Sequence, residues 1–94
     1  MGNSHYVYMI RCGDGTLYTG YATDVQKRFS MHERGKGAKY TRGRGPLVLV
    51  YEQAYCSKEE AMKAEYAIKQ LSKRKKEQFI KKGATPRVCT EELS

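Results

Sequence analysis

Tyr8, Tyr18, Arg28, His32 and Glu65 are the residues whose types and spacing could do chemistry together. Hydrolysing a phosphodiester needs an activated water, neutralisation of charge on the non-bridging oxygens and help for the departing oxygen. Glu65 could hold one Mg²⁺ or Mn²⁺, hard cations that prefer oxygen ligands and keep several waters. Arg28 offers a planar fork matched to phosphate oxygens. His32 titrates near neutrality and could pass protons or orient a phenol. Tyr8 or Tyr18 could take a proton from water, but an unperturbed phenol has a pKa of about 10. A tyrosine base therefore needs positive charge beside it, and Arg28, His32 and the metal are the candidates. Singly, each residue is ordinary: a strand tyrosine is usually core, and a histidine on an apolar helix face usually packs. Their combination, in this order, is what points to phosphate.

The elements that must position them can be read in turn. Tyr6-Val7-Tyr8-Met9-Ile10 is apolar at every position, the pattern of a strand covered on both faces. Cys12-Gly13-Asp14-Gly15-Thr16 supplies a hairpin turn, and Leu17 to Ala22 returns as a second strand. Gly20 interrupts that strand and marks a bulge or a close approach. Thr23 to Gln26 has capping-box spacing, with Thr23 as the expected N-cap. The helix that follows puts Val25, Phe29 and His32 on one face, places Arg28 one turn before His32, and ends at Gly35 and Gly37.

Arg34 to Pro46 reads RGKGAKYTRGRGP, too polar and glycine-rich for an element of its own. We expect a mobile loop in which Lys36, Lys39, Tyr40, Arg42 and Arg44 either follow a phosphate backbone or belong to a solvated connection whose charge is incidental. Leu47 to Tyr51 is the clearest strand, again apolar throughout, and is expected to be buried. Ser57-Lys58-Glu59-Glu60 is a second capping box, opening a helix with the inner stripe Ala61, Ala64, Ile68 and Leu71. Glu65 lies at the edge of that stripe, where a carboxylate needs a cation, hydrogen bonds or water. Ser72 starts a third helix that carries Lys73, Arg74 and Lys75 as further nucleic-acid contacts. Phe79 and Ile80 are its apolar anchors and Gly83 its stop.

Ninety-four residues imply one domain, expected over residues 1–83 with its core at about 5–82, and a frayed tail over 84–94. Eighteen Lys and Arg against ten Asp and Glu leave a formal charge of +8, which favours a polyanion partner, nucleic acid before an acidic membrane surface. Cys12, Cys56 and Cys89 match neither a zinc spacing nor a disulfide framework, so reduced thiols and a cytoplasmic location are expected. No secretory signal, myristoylation pattern or membrane span is legible, and no membrane partner is expected.

Tyr6-Val7-Tyr8, Tyr18-Thr19-Gly20, Lys27-Arg28-Phe29 with His32, and finally Glu65 resemble the GIY-YIG nuclease superfamily over about Tyr6 to Ile80. The most telling strings are Leu17-Tyr18-Thr19-Gly20-Tyr21 and the Gly37-Ala38-Lys39-Tyr40-Thr41-Arg42 loop before Pro46. The likeness is to small stand-alone members related to the nuclease domain of structure-specific junction-cutting enzymes. It implies an α+β fold of order β-β-α-β-α-α, with a three-stranded antiparallel sheet flanked by helices and the motif tyrosines on adjacent strands.

The same resemblance implies a divalent-metal-dependent DNA endonuclease, possible roles being repair or recombination, with a single Mg²⁺ or Mn²⁺ on Glu65. Tyr8 is similar to the tyrosine of the first motif and Tyr18 to that of the second. Arg28 takes the place of the helix arginine, and His32 that of the residue one turn on. Either tyrosine is open as the general base. Tyr6 stands where the motif's name has glycine. Many members carry an asparagine after the glutamate, whereas the asparagine of this chain is Asn3. The alternative is a nucleic-acid-binding module that keeps the fold without the chemistry. Specificity is expected from the basic loop, the third helix or a partner protein.

Overall fold

The structure, a computed structural model, describes residues 5–37 and 39–83. Three strands, β1 (His5–Arg11), β2 (Leu17–Ala22) and β3 (Val48–Tyr55), form one antiparallel sheet in the order β2-β1-β3. Three helices, α1 (Val25–Glu33), α2 (Lys58–Lys69) and α3 (Lys73–Lys82), complete the expected β-β-α-β-α-α order. The tail expected over residues 84–94 lies outside the described residues.

Central β1 explains its own composition. Val7 and Met9 face one core cluster with Tyr51, Ala61 and Ile68; Tyr8 and Ile10 face the other with Ala22 and Val25. All four β1 residues are fully buried. Covering each such apolar side chain contributes roughly 1.5–3 kcal/mol. Helix α2 lies over the first cluster, and α1 packs on the second.

The hairpin is closed by Cys12 N–H donating to Thr16 O at 2.8 Å and Gly15 N–H to Cys12 O at 2.9 Å. Gly15 has φ of +89°, a conformation that favours glycine. On the other side of β1, Met9 pairs with Tyr51 and Ile10 with Leu49, so Val50 is an extra, bulged residue. The expectation of a buried third strand is corrected, because β3 lies at the sheet edge: Val48 is exposed, Leu49 and Val50 are half-buried, and only Tyr51 and Gln53 are buried. It also runs on to Tyr55 through Glu52 and Gln53, because ladder pairing with β1 carries polar residues that an apolar pattern does not announce.

Helix starts follow their caps. Ser57 accepts from Glu60 N–H at 3.1 Å and Ser72 from Lys75 N–H at 3.3 Å, as the spacing predicts. For α1 the expectation of Thr23 is corrected. Asp24 is the extended N-cap residue, and its carboxylate accepts from Lys27 N–H at 3.1 Å. A charged carboxylate is the stronger acceptor, and it moves the helix start one residue along.

The basic loop is also more ordered than its composition implies. Lys39–Thr41 forms a 3₁₀ turn, with Thr41 buried. Gly13 N–H donates to Arg44 O at 2.5 Å, and Arg44 Nη1 bonds Asp14 Oδ2 at 2.5 Å, stitching the loop to the hairpin turn. Cys12 is a free buried thiol.

Candidate active site

Tyr8 on β1 is where the site converges. Its hydroxyl is hydrogen-bonded to His32 Nε2 of α1 at 2.9 Å, in a fully buried pair. Tyr18 reaches the same place from β2, hydrogen-bonded to Tyr8 and edge-on to the His32 ring with centroids 5.2 Å apart. The register makes this possible: Ile10 pairs with Tyr18 and Tyr8 with Gly20, so Tyr8, Tyr18 and Gly20 share one face. A Cβ at Gly20 would lie 2.6 Å from Tyr8 Oη and 3.0 Å from Tyr18 Cε2. Of the bulge and the close approach expected at this glycine, the structure shows the second, and it is two phenol side chains that approach.

The charged members act on the same hydroxyl. Arg28, exposed one turn before His32, favours the Tyr8 phenolate; Glu65 on α2 disfavours it. Burial outweighs both, and with Tyr18 beside it the Tyr8 phenol is pushed far above its usual range. Arg28 acts in the direction expected of a neighbouring cation, but desolvation is the larger effect and favours the neutral phenol. His32 is shifted down, first by burial and then by Arg28, so it is held as neutral imidazole.

Glu65 has a side chain only 14% exposed and pairs with Lys69 Nζ at 3.1 Å, one turn on in α2. That Glu-to-Lys spacing of four was readable in sequence. Thr41 was missed. Its Oγ1 lies 3.1 Å from His32 Nδ1, so both imidazole nitrogens are hydrogen-bonded to hydroxyl groups. Gly37 is read in the sequence as a helix stop and as part of the loop string, with no link to His32, yet a Cβ there would overlap the His32 ring at Nδ1. Two glycines beside a loop threonine are faint signals until the imidazole they surround is placed.

A model of the GIY-YIG catalytic domain matches residues 4–78. The chain belongs to the GIY-YIG family. Within it, the chain is 56% identical over 91 residues to a UPF0213 protein of Halalkalibacterium halodurans, covering 97% of both chains. A UPF0213 protein of Halobacterium salinarum is 59% identical over 73 residues, 78% of this chain and 95% of that one. Among solved structures, the solution NMR structure of a UPF0213 protein from Bacillus halodurans superposes with a TM-score of 0.58 at 56% identity, over 97% of each chain. The solution NMR structure of an E. faecalis protein gives 0.61 at 40% identity over 85% of each.

The GIY-YIG resemblance implies a divalent ion on Glu65, and the donor set can be compared with that. Among the described residues no three His, Cys, Asp or Glu side chains gather as ligands. A lone carboxylate suits Mg²⁺ or Mn²⁺ that is otherwise bound by water and substrate oxygens, but not a site built wholly of protein ligands. Lys69, half exposed, can release Glu65 into that role. The fit is to a single, one-carboxylate ion.

The expected nucleic-acid contacts divide. Lys36 and Lys39 are exposed on the loop, and Lys73, Arg74 and Lys75 on the first turn of α3. Arg42 donates from Nε to Gly35 O at 3.1 Å, and Arg44 is engaged with Asp14. Tyr40 contributes backbone to the 3₁₀ turn; its side chain lies outside the described part. Both basic segments border the hairpin turn: Arg44 holds Asp14, and Lys73 Nζ would lie 3.8 Å from a Cβ on Gly15. No helix among the described residues is long and apolar enough to cross a membrane.

Proposed function

We propose that this protein is a divalent-metal-dependent endonuclease that hydrolyses DNA phosphodiester bonds. In this reading it prefers branched or distorted DNA, acts in the cytoplasm in repair or recombination, and takes further specificity from a partner protein. One observation carries the proposal: Tyr8 is bonded to His32 and Tyr18 and lies within the electrostatic reach of Arg28 and Glu65. Two residues thus contact the Tyr8 phenol and two charged groups act on it from α1 and α2, in a domain whose family description is catalytic.

In this reading the exposed Arg28 guanidinium grips two non-bridging oxygens of the scissile phosphate. Glu65 would hold the ion, which would supply stabilisation of the negative charge that develops during cleavage. The half-buried Tyr18 phenol meets the attacking water, while buried Tyr8 lies behind it as a hydrogen-bonded relay to His32, the proton acceptor. As the water oxygen bonds to phosphorus and the opposite P–O bond breaks, the water proton enters this chain. The departing oxygen is reprotonated from solvent. Exposed Lys36, Lys39, Lys73, Arg74 and Lys75 supply sequence-independent contacts to the backbone.

The test is nicking of supercoiled plasmid and cutting of branched DNA with Mn²⁺, Mg²⁺ or chelator. Metal-dependent cutting, lost in Arg28→Ala, is expected. Intact DNA with both metals would sink the proposal. A second reading, a DNA-binding module without chemistry, is favoured by the neutral, fully buried Tyr8 and by the Lys69 cation on Glu65. It predicts binding without cutting.

A further inference from the structure

The hydrogen-bonded groups do not end at His32. From the half-buried Tyr18 they run through Tyr8 to His32 Nε2, and from His32 Nδ1 to the buried hydroxyl of Thr41. Thr41 and His32 also line a pocket between the end of α1 and the basic loop, together with Glu33, Arg42 and Leu47. A neutral imidazole has one N–H and one lone pair, so what one nitrogen does fixes the other. The group bonded to Nδ1 therefore decides whether Nε2 can receive a proton from Tyr8.

We propose that Thr41 is the positioning residue of this site: its oxygen accepts the Nδ1–H of His32 and keeps the Nε2 lone pair on Tyr8. The chemistry of the donors supports that direction. A phenol is a far stronger acid than an aliphatic alcohol, so Tyr8, not Thr41, is the better donor to the ring. In that orientation every bond points inward. Tyr8 donates to His32 Nε2, and the imidazolium that forms keeps its Nδ1–H on Thr41. A nucleophile or base oriented through a third group is the general form of such chains. Gly37 belongs to the same device, because a side chain there would occupy the space of the His32 ring. The loop that carries Lys36, Lys39 and Arg42 thereby carries the group that sets the His32 proton.

This inference rests on the nuclease reading for its purpose but not for its test. The chain has two histidines, so ¹⁵N spectra of the imidazoles are simple, and His5→Gln assigns the other ring. In the wild-type protein we expect His32 as the Nδ1–H tautomer, with Nε2 at the shift of an unprotonated, hydrogen-bonded nitrogen. Thr41→Val should move the ring toward the Nε2–H form that free histidine prefers, and Thr41→Ser should restore the wild-type pattern. Any metal-dependent nicking should fall on the order of tenfold to a hundredfold in Thr41→Val, as for groups that orient a ligand through its second nitrogen, and return in Thr41→Ser. An Nε2–H tautomer in the wild type overturns the proposal, as does an unchanged tautomer in folded Thr41→Val. Absence of nicking in the wild type removes the nuclease reading and leaves the tautomer result to decide the role of Thr41.

Discussion

Tyr8 and His32 are chemically active residues held in a setting that normally belongs to a core. Burial keeps Tyr8 protonated and His32 neutral, and each effect has a measurable consequence. For His32 the folded-state pKa lies below the ordinary value of 6.5, so the unfolded chain binds the extra proton first. Stability is therefore full above that value and falls as pH drops below it toward the folded pKa. Urea denaturation between about pH 5 and 8 should show this slope, and His32→Gln should flatten it. An unchanged slope in the variant would mean that another group titrates.

Gly20 supplies a second residue-level prediction. Its missing Cβ is the space occupied by the Tyr8 hydroxyl, so Gly20→Ala should destabilise by about 1–3 kcal/mol and displace the phenol from His32. Thermal melting tests the first part, and the His32 ring shifts test the second. At this scale the sequence was informative about which residues meet, because the resemblance placed all five. It was uninformative about their state: whether charge or burial dominates at Tyr8 depends on how completely α1 and the loop cover β1.

Two elements carry features that stability alone does not explain. In β2, Thr19 Oγ1 is a buried hydroxyl for which the described structure shows no hydrogen-bond partner. It faces the α2 side of the sheet, at the position where the motif's name has isoleucine. Thr19→Val should raise stability by about 1 kcal/mol, the lower end of the penalty for an unsatisfied buried group. A loss on melting would show that the hydroxyl has a partner, such as a buried water.

In α3, the first turn has no acidic residue but carries Lys73, Arg74 and Lys75, against the helix dipole. Lys75→Glu would give Ser72 a capping-box partner and should stabilise by about 0.5–1 kcal/mol while weakening DNA binding. Opposite signs in melting and binding are the expected signature of a surface kept for a polyanion. The caps at Ser57 and Ser72 were legible because spacing alone specifies them. Asp24 was not, since Thr23 and Asp24 both suit an N-cap and the backbone chooses between them. The 3₁₀ turn was hidden because its buried threonine is held by a histidine nine residues earlier.

Over the whole molecule, the charge of +8 is distributed so that loop and α3 cations approach the hairpin turn from two sides. Binding to duplex DNA should weaken with salt at a log–log slope of about −0.9 per phosphate contacted. Replacing Lys73 should make that slope shallower by about one. A flat salt response would contradict the polyanion reading. The two covered faces of the sheet were legible from β1, whose apolar run has no polar face to expose; that β1 is the central strand was not. The stitching of loop to turn through Asp14 and Arg44 was not, because thirty residues separate an exposed pair that sequence reads only as charge.

The most direct measurement is cutting and binding of the same branched DNA by wild type and Glu65→Ala, in Mn²⁺ and Mg²⁺. Catalysis centred on Glu65 predicts that the variant loses cutting by at least about a hundredfold while its affinity stays near that of the wild type. Equal cutting by the two proteins would contradict it.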